Sequence, residues 1–394
     1  MGLALSFLLL AAAAQAPSPP RVLELVETAP IETTLDHADI PEAADVWLAM
    51  IAGAKSSLDL SHFYVSNLPG KRLEPILAAV EAAAARGVKV RLIGDLKFVK
   101  TYPESLDRLA AKGIDVLRID YAKIGGGVQH AKYMLVDGTS AYLGSQNFDW
   151  RSLEHIQELG ARFDDPALVR GLAAVFEHDW ELGHGRAAPA PLASAAQATT
   201  ADGAAVELVA SPKEHTAGVA WDLPKLVAQI DGAQKSVCVQ LLTYKSGNRE
   251  LGYWDELESA LRRAAGRRVT VRLLVSDWCK RAGTIEALQS LEVLPNVEVR
   301  LVTLPAWSGG FVSFARTIHS KYMVVDGARA WLGTSNWERD YFYQSRNVGL
   351  VVAGGALPAR LQRFFEDGWA SPYAHAVDAC AKYEAPKVSD ESGK

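Results

Sequence analysis

A nine-residue block occurs twice in this chain. His130-Ala131-Lys132-Tyr133-Met134-Leu135-Val136-Asp137-Gly138 returns as His319-Ser320-Lys321-Tyr322-Met323-Val324-Val325-Asp326-Gly327, at an offset of 189. The offset holds downstream, where Gly144-Ser145-Gln146-Asn147 answers Gly333-Thr334-Ser335-Asn336, and Phe176 and Trp180 answer Phe365 and Trp369. Upstream the match persists with shifted offsets: Ile51-Ala52-Gly53-Ala54 is similar to Ile230-Asp231-Gly232-Ala233, and Val88-Lys89-Val90-Arg91-Leu92 to Val269-Thr270-Val271-Arg272-Leu273. One such match arises by chance, but an ordered series is an internal duplication. Two like units must therefore fold from one chain.

Each copy alternates strand-like and helix-like segments. In the first, 58–65 and 88–93 are short β-rich runs flanking the Ala-rich helical stretch 73–86, and Gly87 stands where a helix ends. Further strands are expected at 116–119, 131–136 and 141–143, with a closing helix over 166–180. Helices between strands predict an α/β fold: two tandem α-β-α sandwich domains, each with a mixed sheet. The domains are placed at 35–182 and 206–382. The segment 183–205, rich in Ala, Pro, Ser and Thr, reads as a linker, and the polar residues after Lys382 are expected to fray.

The N-terminus reads as an address. An uncharged apolar run over 3–14 is followed by Ala14-Gln15-Ala16 and then Pro17. It is too short for a membrane span, so residues 1–16 are expected to be a signal peptide that directs export. Apolar residues make up 49% of the chain and charged residues 22%, which excludes global disorder. A net charge of −5 argues against a protein that coats duplex nucleic acid. Three cysteines without CxxC spacing exclude a disulfide scaffold and a zinc ribbon, and Cys238 lies in an apolar run that suits a buried thiol.

The chemistry lies in the repeated block. His130 and Lys132 are two apart, as are His319 and Lys321, a spacing that puts both side chains on one face of a strand. Two solvated polar residues at a strand end would need no function, but that reading leaves unexplained why both copies keep His, Lys, Asp and Asn. These residue types suit phosphoryl transfer. A neutral imidazole attacks phosphorus, and a protonated one gives its proton to the leaving oxygen. Lys132 and Lys321 supply positive charge to the nonbridging oxygens, and Ser145, Asn147, Ser335 and Asn336 supply neutral donors. There is no HExxH, no Cys/His cluster and no repeated Asp-x-Asp array, so no catalytic metal or other cofactor is expected. Asp137 and Asp326, seven residues after each His, project from the opposite face of a regular strand. They suit a turn or an anchor between copies better than proton transfer.

His-x-Lys-x4-Asp followed by Gly-Ser/Thr-x-Asn, present twice, resembles the phospholipase D superfamily. The segments Tyr142 to Leu153, Glu158-Leu159-Gly160 and Leu332 to Trp337, with 58–64 and 269–278, are similar to the lysosomal phospholipase-D-like 5′ exonucleases of animals. The resemblance implies a pseudo-twofold molecule with one active site between the copies, a covalent phosphohistidine and no metal. It also brings Asp137 and Asp326 among the catalytic residues. In that family a carboxylate at the position of Glu158 orients an imidazole, and the matching position after His319 is Asn347. On that basis His130 is the expected nucleophile and His319 the acid.

The expected function is therefore a metal-independent phosphodiesterase, with a 5′ exonuclease on single-stranded nucleic acid favoured. The alternatives are a phospholipase D or transphosphatidylase acting on phospholipid, and an inactive phosphate-binding module. No stable protein partner is expected. Trp337, Tyr341, Phe342 and Tyr343 follow the second motif and are candidates for a base-stacking wall, while Trp331 suits the core. His62, His155, His178 and His375 have no mirrored partner and read as surface or helix-end residues.

Overall fold

The computed structural model describes residues 23–248 and 252–390. The segment 1–16, expected to direct export, lies outside them. The first copy runs β1 (Glu24–Thr28), α1 (Ala43–Gly53), β2 (Ser57–His62), α2 (Leu73–Ala85), β3 (Lys89–Asp95), α3 (Glu104–Ala111), β4 (Asp115–Ile119), β5 (Tyr133–Val136), β6 (Ser140–Gly144), β7 (Ile156–Phe163) and α4 (Pro166–Gly183). The second runs β8 (Ala205–Ser211), α5 (Asp222–Asp231), β9 (Ser236–Leu241), α6 (Glu256–Gly266), β10 (Thr270–Ser276), α7 (Ile285–Glu292), β11 (Val297–Val302), β12 (Thr317–Ile318), β13 (Tyr322–Val325), β14 (Arg329–Gly333), α8 (Arg339–Tyr343), β15 (Asn347–Ala353), α9 (Leu357–Ala370) and β16 (Ala374–Ala376).

The two sheets have one topology. The first is ordered β1-β7-β6-β5-β2-β3-β4, and the second β8-β15-β14-β13-β9-β10-β11, followed by β16. In each, three parallel strands (β2, β3, β4; β9, β10, β11) adjoin an antiparallel hairpin. Helices α1 and α2 cover the outer face of the first sheet, and α5 and α6 that of the second. The inner faces and the apolar stripes of α4 and α9 share one core. This is the expected pair of α-β-α sandwiches.

Local chemistry explains the elements. In α2 the buried residues Leu73, Ile76, Leu77, Val80 and Ala83 recur at helical spacing, and Gly87 adopts φ +90° just past the end. Helix α4 starts where Asp165 accepts the N–H groups of Ala167 and Leu168 ahead of Pro166. Its stripe Leu168, Leu172, Val175, Phe176 enters the shared core. The β5–β6 and β13–β14 hairpins turn on Asp137-Gly138 (φ +55° and +63°) and Asp326-Gly327 (+57° and +66°), the left-handed pair that a type I′ turn requires.

Some boundaries differ from the sequence reading. The first sheet begins with β1, upstream of residue 35, because this edge strand pairs through its backbone with β7 and carries little pattern of its own. Within 183–205, Gln197–Thr199 forms a strand against β8. The polar tail does not fray at Lys382: Val388 and Asp390 hydrogen-bond to Phe314 and Ser313. Cys238 and Cys279 are buried, Cys380 is exposed, and all three are free thiols.

Candidate active site

Each repeated motif is introduced by pairing with the other copy. Strand β12 runs into His319 and pairs in parallel with the start of β7 in the first sheet, where the His319 N–H donates to the Gln157 carbonyl at 2.8 Å. In the mirror-image contact, Gln129 bridges Arg346, and the His130 N–H donates to the Arg346 carbonyl at 3.0 Å. The pair Arg346–Asp179 stabilises this crossing. Both side chains are fully buried, the guanidinium forks onto the carboxylate with two 2.7 Å hydrogen bonds, and Asp179 comes from α4 of the first copy.

The result is one cavity of about 290 Å³ lined by both histidines. His130 and Lys132 lie in an extended lead-in just ahead of β5 rather than within a strand, and His319 and Lys321 likewise precede β13. Both lysines are fully buried, and each ammonium donates to the carbonyl of the histidine two residues before it. Burial and the Lys321 charge hold Lys132 well below the ordinary lysine range, with Glu158 opposing. Burial brings Lys321 down to about 7, again against Glu158. Burial thus works against the charged form of both lysines in the empty site, and an anionic phosphodiester beside them favours it.

The histidines have unlike partners. His319 Nδ1 lies 2.7 Å from Glu158 Oε2, whereas His130 Nδ1 lies 3.0 Å from Asn347 Oδ1. The expected support of His130 by Glu158 from its own copy is thus corrected. β7 and β15 flank the interface, so each delivers its side chain to the other copy's imidazole. The Asn347 amide is oriented, because its Nδ2 donates to the carbonyls of Tyr341 (2.8 Å) and Ser345 (3.3 Å). Its Oδ1 must accept from His130, which places the proton on Nδ1 and the lone pair on Nε2. The ring is held edge-on by Phe63 (centroids 4.9 Å apart) and Tyr341 (4.8 Å). Glu158 also accepts from Ser152 Oγ at 3.0 Å, and burial pushes its carboxyl up to about 8.

Other expected residues divide. Asn147 and Asn336 line the cavity with amide oxygens that have no hydrogen-bond partner. Ser145 sits beside the site, exchanging hydrogen bonds with the backbone of Leu159 at 3.1 and 3.0 Å. Ser335 is corrected: it is buried against Asp222 (3.2 Å), while Thr334, aligned with Ser145 in the repeat, donates to Asn347 Oδ1 at 2.9 Å. Asp137 and Asp326 are also corrected, from catalytic residues to anchors within their own copies. Asp137 accepts the N–H groups of Lys55, Ser56 and Ser57, and Asp326 those of Gln234, Lys235 and Ser236. Burial alone would raise the Asp137 carboxyl, but those N–H groups and the Ser56 hydroxyl outweigh it and hold it down at about 2.

The cavity walls are aromatic. Phe63, Tyr64, Phe98 and Tyr102 come from the first copy, and Trp278, Phe314 and Tyr341 from the second. Of the aromatics expected after the second motif only Tyr341 lines the cavity, because Trp337 and Phe342 are core residues and Tyr343 bonds Glu256. The sequence reading did not single out Phe63, Phe98, Tyr102, Arg151, Trp278 and Phe314. Phe63 is the first residue after the parallel strand β2 and Trp278 the second after β10, and the carboxyl ends of such strands are where ligands bind. His62 and His155 are buried rather than on the surface, with His62 stacked on Phe148 at 4.4 Å.

A family model described as "Cardiolipin synthase, PLD-like domain" matches residues 47–180 and again 226–369. The chain belongs to the phospholipase D superfamily. It is 32% identical to the human 5'-3' exonuclease PLD3 over 93% of this chain and 84% of that protein. It is 30% identical to Phospholipase D Z of Dictyostelium discoideum, over 84% of this chain and 86% of that one. Among solved structures, a phosphatidylserine synthase of Haemophilus influenzae superposes with a TM-score of 0.61 at 10% identity, covering 85% of each chain, and so shares the fold. The chain is a phosphodiesterase of this superfamily, and its two matched segments are the two copies that meet at the cavity.

Proposed function

We propose that this phosphodiesterase is a metal-independent 5′ exonuclease on single-stranded nucleic acid that works through a phosphohistidine. The carrying observation is the shared cavity, which two imidazoles with unlike partners line together with aromatic walls. His130 presents its Nε2 lone pair and attacks phosphorus. His319, hydrogen-bonded through Nδ1 to Glu158, gives its Nε2 proton to the leaving oxygen as the P–O bond breaks. The neutral His319 then takes a proton from water as that water attacks the phosphohistidine, which restores His130. Lys132 and Lys321 bear the charge on the nonbridging oxygens, the work a metal would otherwise do.

The nucleic-acid reading rests on the aromatic walls and on the similarity to proteins named 5'-3' exonucleases. Each base stacked on such a wall contributes about 1–3 kcal/mol. The deciding assay offers one purified sample a 5′-hydroxyl oligodeoxynucleotide labelled at its 3′ end, and phosphatidylcholine or phosphatidylglycerol vesicles, with and without EDTA. Stepwise shortening that survives EDTA, with lipids intact, is the expected result. Head-group release with the oligonucleotide untouched gives the phospholipase reading instead, and a loss restored only by a divalent ion removes the metal-free mechanism. Export through residues 1–16 belongs to the same reading and is checked by the N-terminal sequence of the mature protein.

A further inference from the structure

The C-terminal tail, expected to fray, lies across the loop that carries Phe314. Val388 accepts the Phe314 N–H at 2.7 Å, the Asp390 N–H donates to Ser313 Oγ at 3.3 Å, and the Lys387 ammonium stands 4.6 Å from the centre of the Phe311 ring. The tail is tied down upstream as well, where Gln289 donates to the carbonyls of Asp378 and Ala381.

The loop itself is held under strain. Phe314 and Arg316 adopt φ +57° and +54°, the left-handed region that a bulky residue enters only when its surroundings enforce it. The first copy supplies part of that enforcement. The Arg316 N–H donates to the His155 carbonyl at 3.1 Å, its guanidinium reaches the Ile31 carbonyl at 2.7 Å, and Arg151 Nη1 donates to the Ser313 carbonyl at 3.3 Å. Yet the Phe314 ring so positioned is not packed away. It is 45% exposed while lining the cavity of the two histidines, in edge contact with Trp278 at 6.5 Å. A large ring kept half bare over a catalytic cavity by a strained backbone has been placed for something that enters the cavity.

We propose that Phe314 is a substrate-contacting specificity residue, stacking on the planar organic group next to the scissile phosphate, and that residues 384–390 are the strap that positions it. This deepens the exonuclease reading and rests on it for the planar group being a base. The N–H to Val388 bond fixes the backbone of Phe314, so removing the strap lets the loop relax and swings the ring off its stacking position. Binding is then lost while the histidines stay in place.

The test compares three forms of the protein: a chain ending at Tyr383, Phe314→Ala in the full chain, and the two combined. For the oligonucleotide, truncation and Phe314→Ala should each raise KM about tenfold with kcat changed less than threefold, the loss of one stacked base. The combination should be no worse than Phe314→Ala alone, because the strap acts through that ring. Amide exchange at Phe314 should quicken in the truncated chain. Additive losses, or a truncated chain with unchanged KM, would overturn the proposal. Should truncation prevent folding, Lys387→Gly with Asp390→Pro in the full chain loosens the strap and must give the same pattern. If bis(p-nitrophenyl) phosphate is hydrolysed but the oligonucleotide is not, the exonuclease reading fails by itself. The same KM comparison on that aryl diester still decides the role of the strap.

Discussion

Glu158 and His319 are hydrogen-bonded at 2.7 Å although 161 residues separate them in the chain, and their contact joins the two copies. If this pair holds the mobile proton, Glu158→Gln removes the stabilisation of the imidazolium. Cleavage of an oligonucleotide should slow by about 10²–10⁴-fold. The deficit should shrink markedly on bis(p-nitrophenyl) phosphate, whose phenolate leaves without needing a proton. An equal loss on both substrates would move the acid role away from His319.

His130→Asn and His319→Asn should each abolish steady-state turnover, and the double variant should be no worse than either, as for residues that act as a unit. Half-activity in each single variant would mean two independent sites. Phosphate trapped on His130 during turnover, and absent in His130→Asn, identifies the nucleophile. Label on His319 instead would exchange the two roles.

The pH profile follows from the burial of the imidazoles. Burial first, then the charges of Lys132 and Lys321, hold both histidines well below the ordinary value of 6.5 in the empty site. A protonated acid is therefore scarce in the free enzyme at neutral pH. The plot of kcat/KM should be bell-shaped with its optimum on the acid side of 7 and a fall as pH rises. A rate that still climbs past about pH 9 would mean that hydroxide or a lysine attacks.

Asp137→Asn and Asp326→Asn should lower Tm by a few degrees, since each removes a charged acceptor from three N–H groups at a cost of about 1–3 kcal/mol. They should leave kcat within about threefold well below Tm. The sign with pH is set by a carboxyl that titrates near 2 when folded and 3.8 otherwise. The Asp137 contribution is whole above about pH 4 and is lost as pH falls towards 2, so Asp137→Asn should flatten the acid limb of a stability curve. A hundredfold loss of kcat at unchanged Tm would return the aspartates to the catalytic group.

Arg346→Met or Asp179→Leu alone leaves a buried charge uncompensated and should cost about 3–5 kcal/mol, while the double replacement recovers much of it. Because the Arg346 carbonyl holds the His130 N–H, activity should fall in the single variants even below Tm. Denaturant melts of all three variants check this.

The repeat offset made the paired sandwiches legible, since a duplicated pattern of strands and helices leaves few other folds. It also carried the two histidines and both asparagines to the cavity, with both lysines buried behind the histidines. What it could not carry was pairing across the interface. Glu158 and Asn347 were placed by their distance along the chain from their own histidines, but β7 and β15 hand them to the opposite ones. Ser335 was misplaced for a local reason: it follows Thr334 in the motif but turns to Asp222, one residue out of phase with Ser145. For Asp137 strand geometry points away from the site while the resemblance points to catalysis, and its hydrogen bonds follow the geometry. Its partners lie in the stretch that leads into β2 of the same copy, which no spacing within the motif could indicate.

Two identical subunits encoded by one gene would carry the same residue at the positions of Glu158 and Asn347, and both of their histidines would meet the same neighbour. Joining the halves in a single polypeptide removes that constraint. One half is free to keep a lone pair ready and the other to keep a proton, and a substitution in either position alters one half-reaction without a mirrored change in the other. The crossed hydrogen bonds of Glu158 and Asn347 are thus an asymmetry that a pair of identical subunits could not carry.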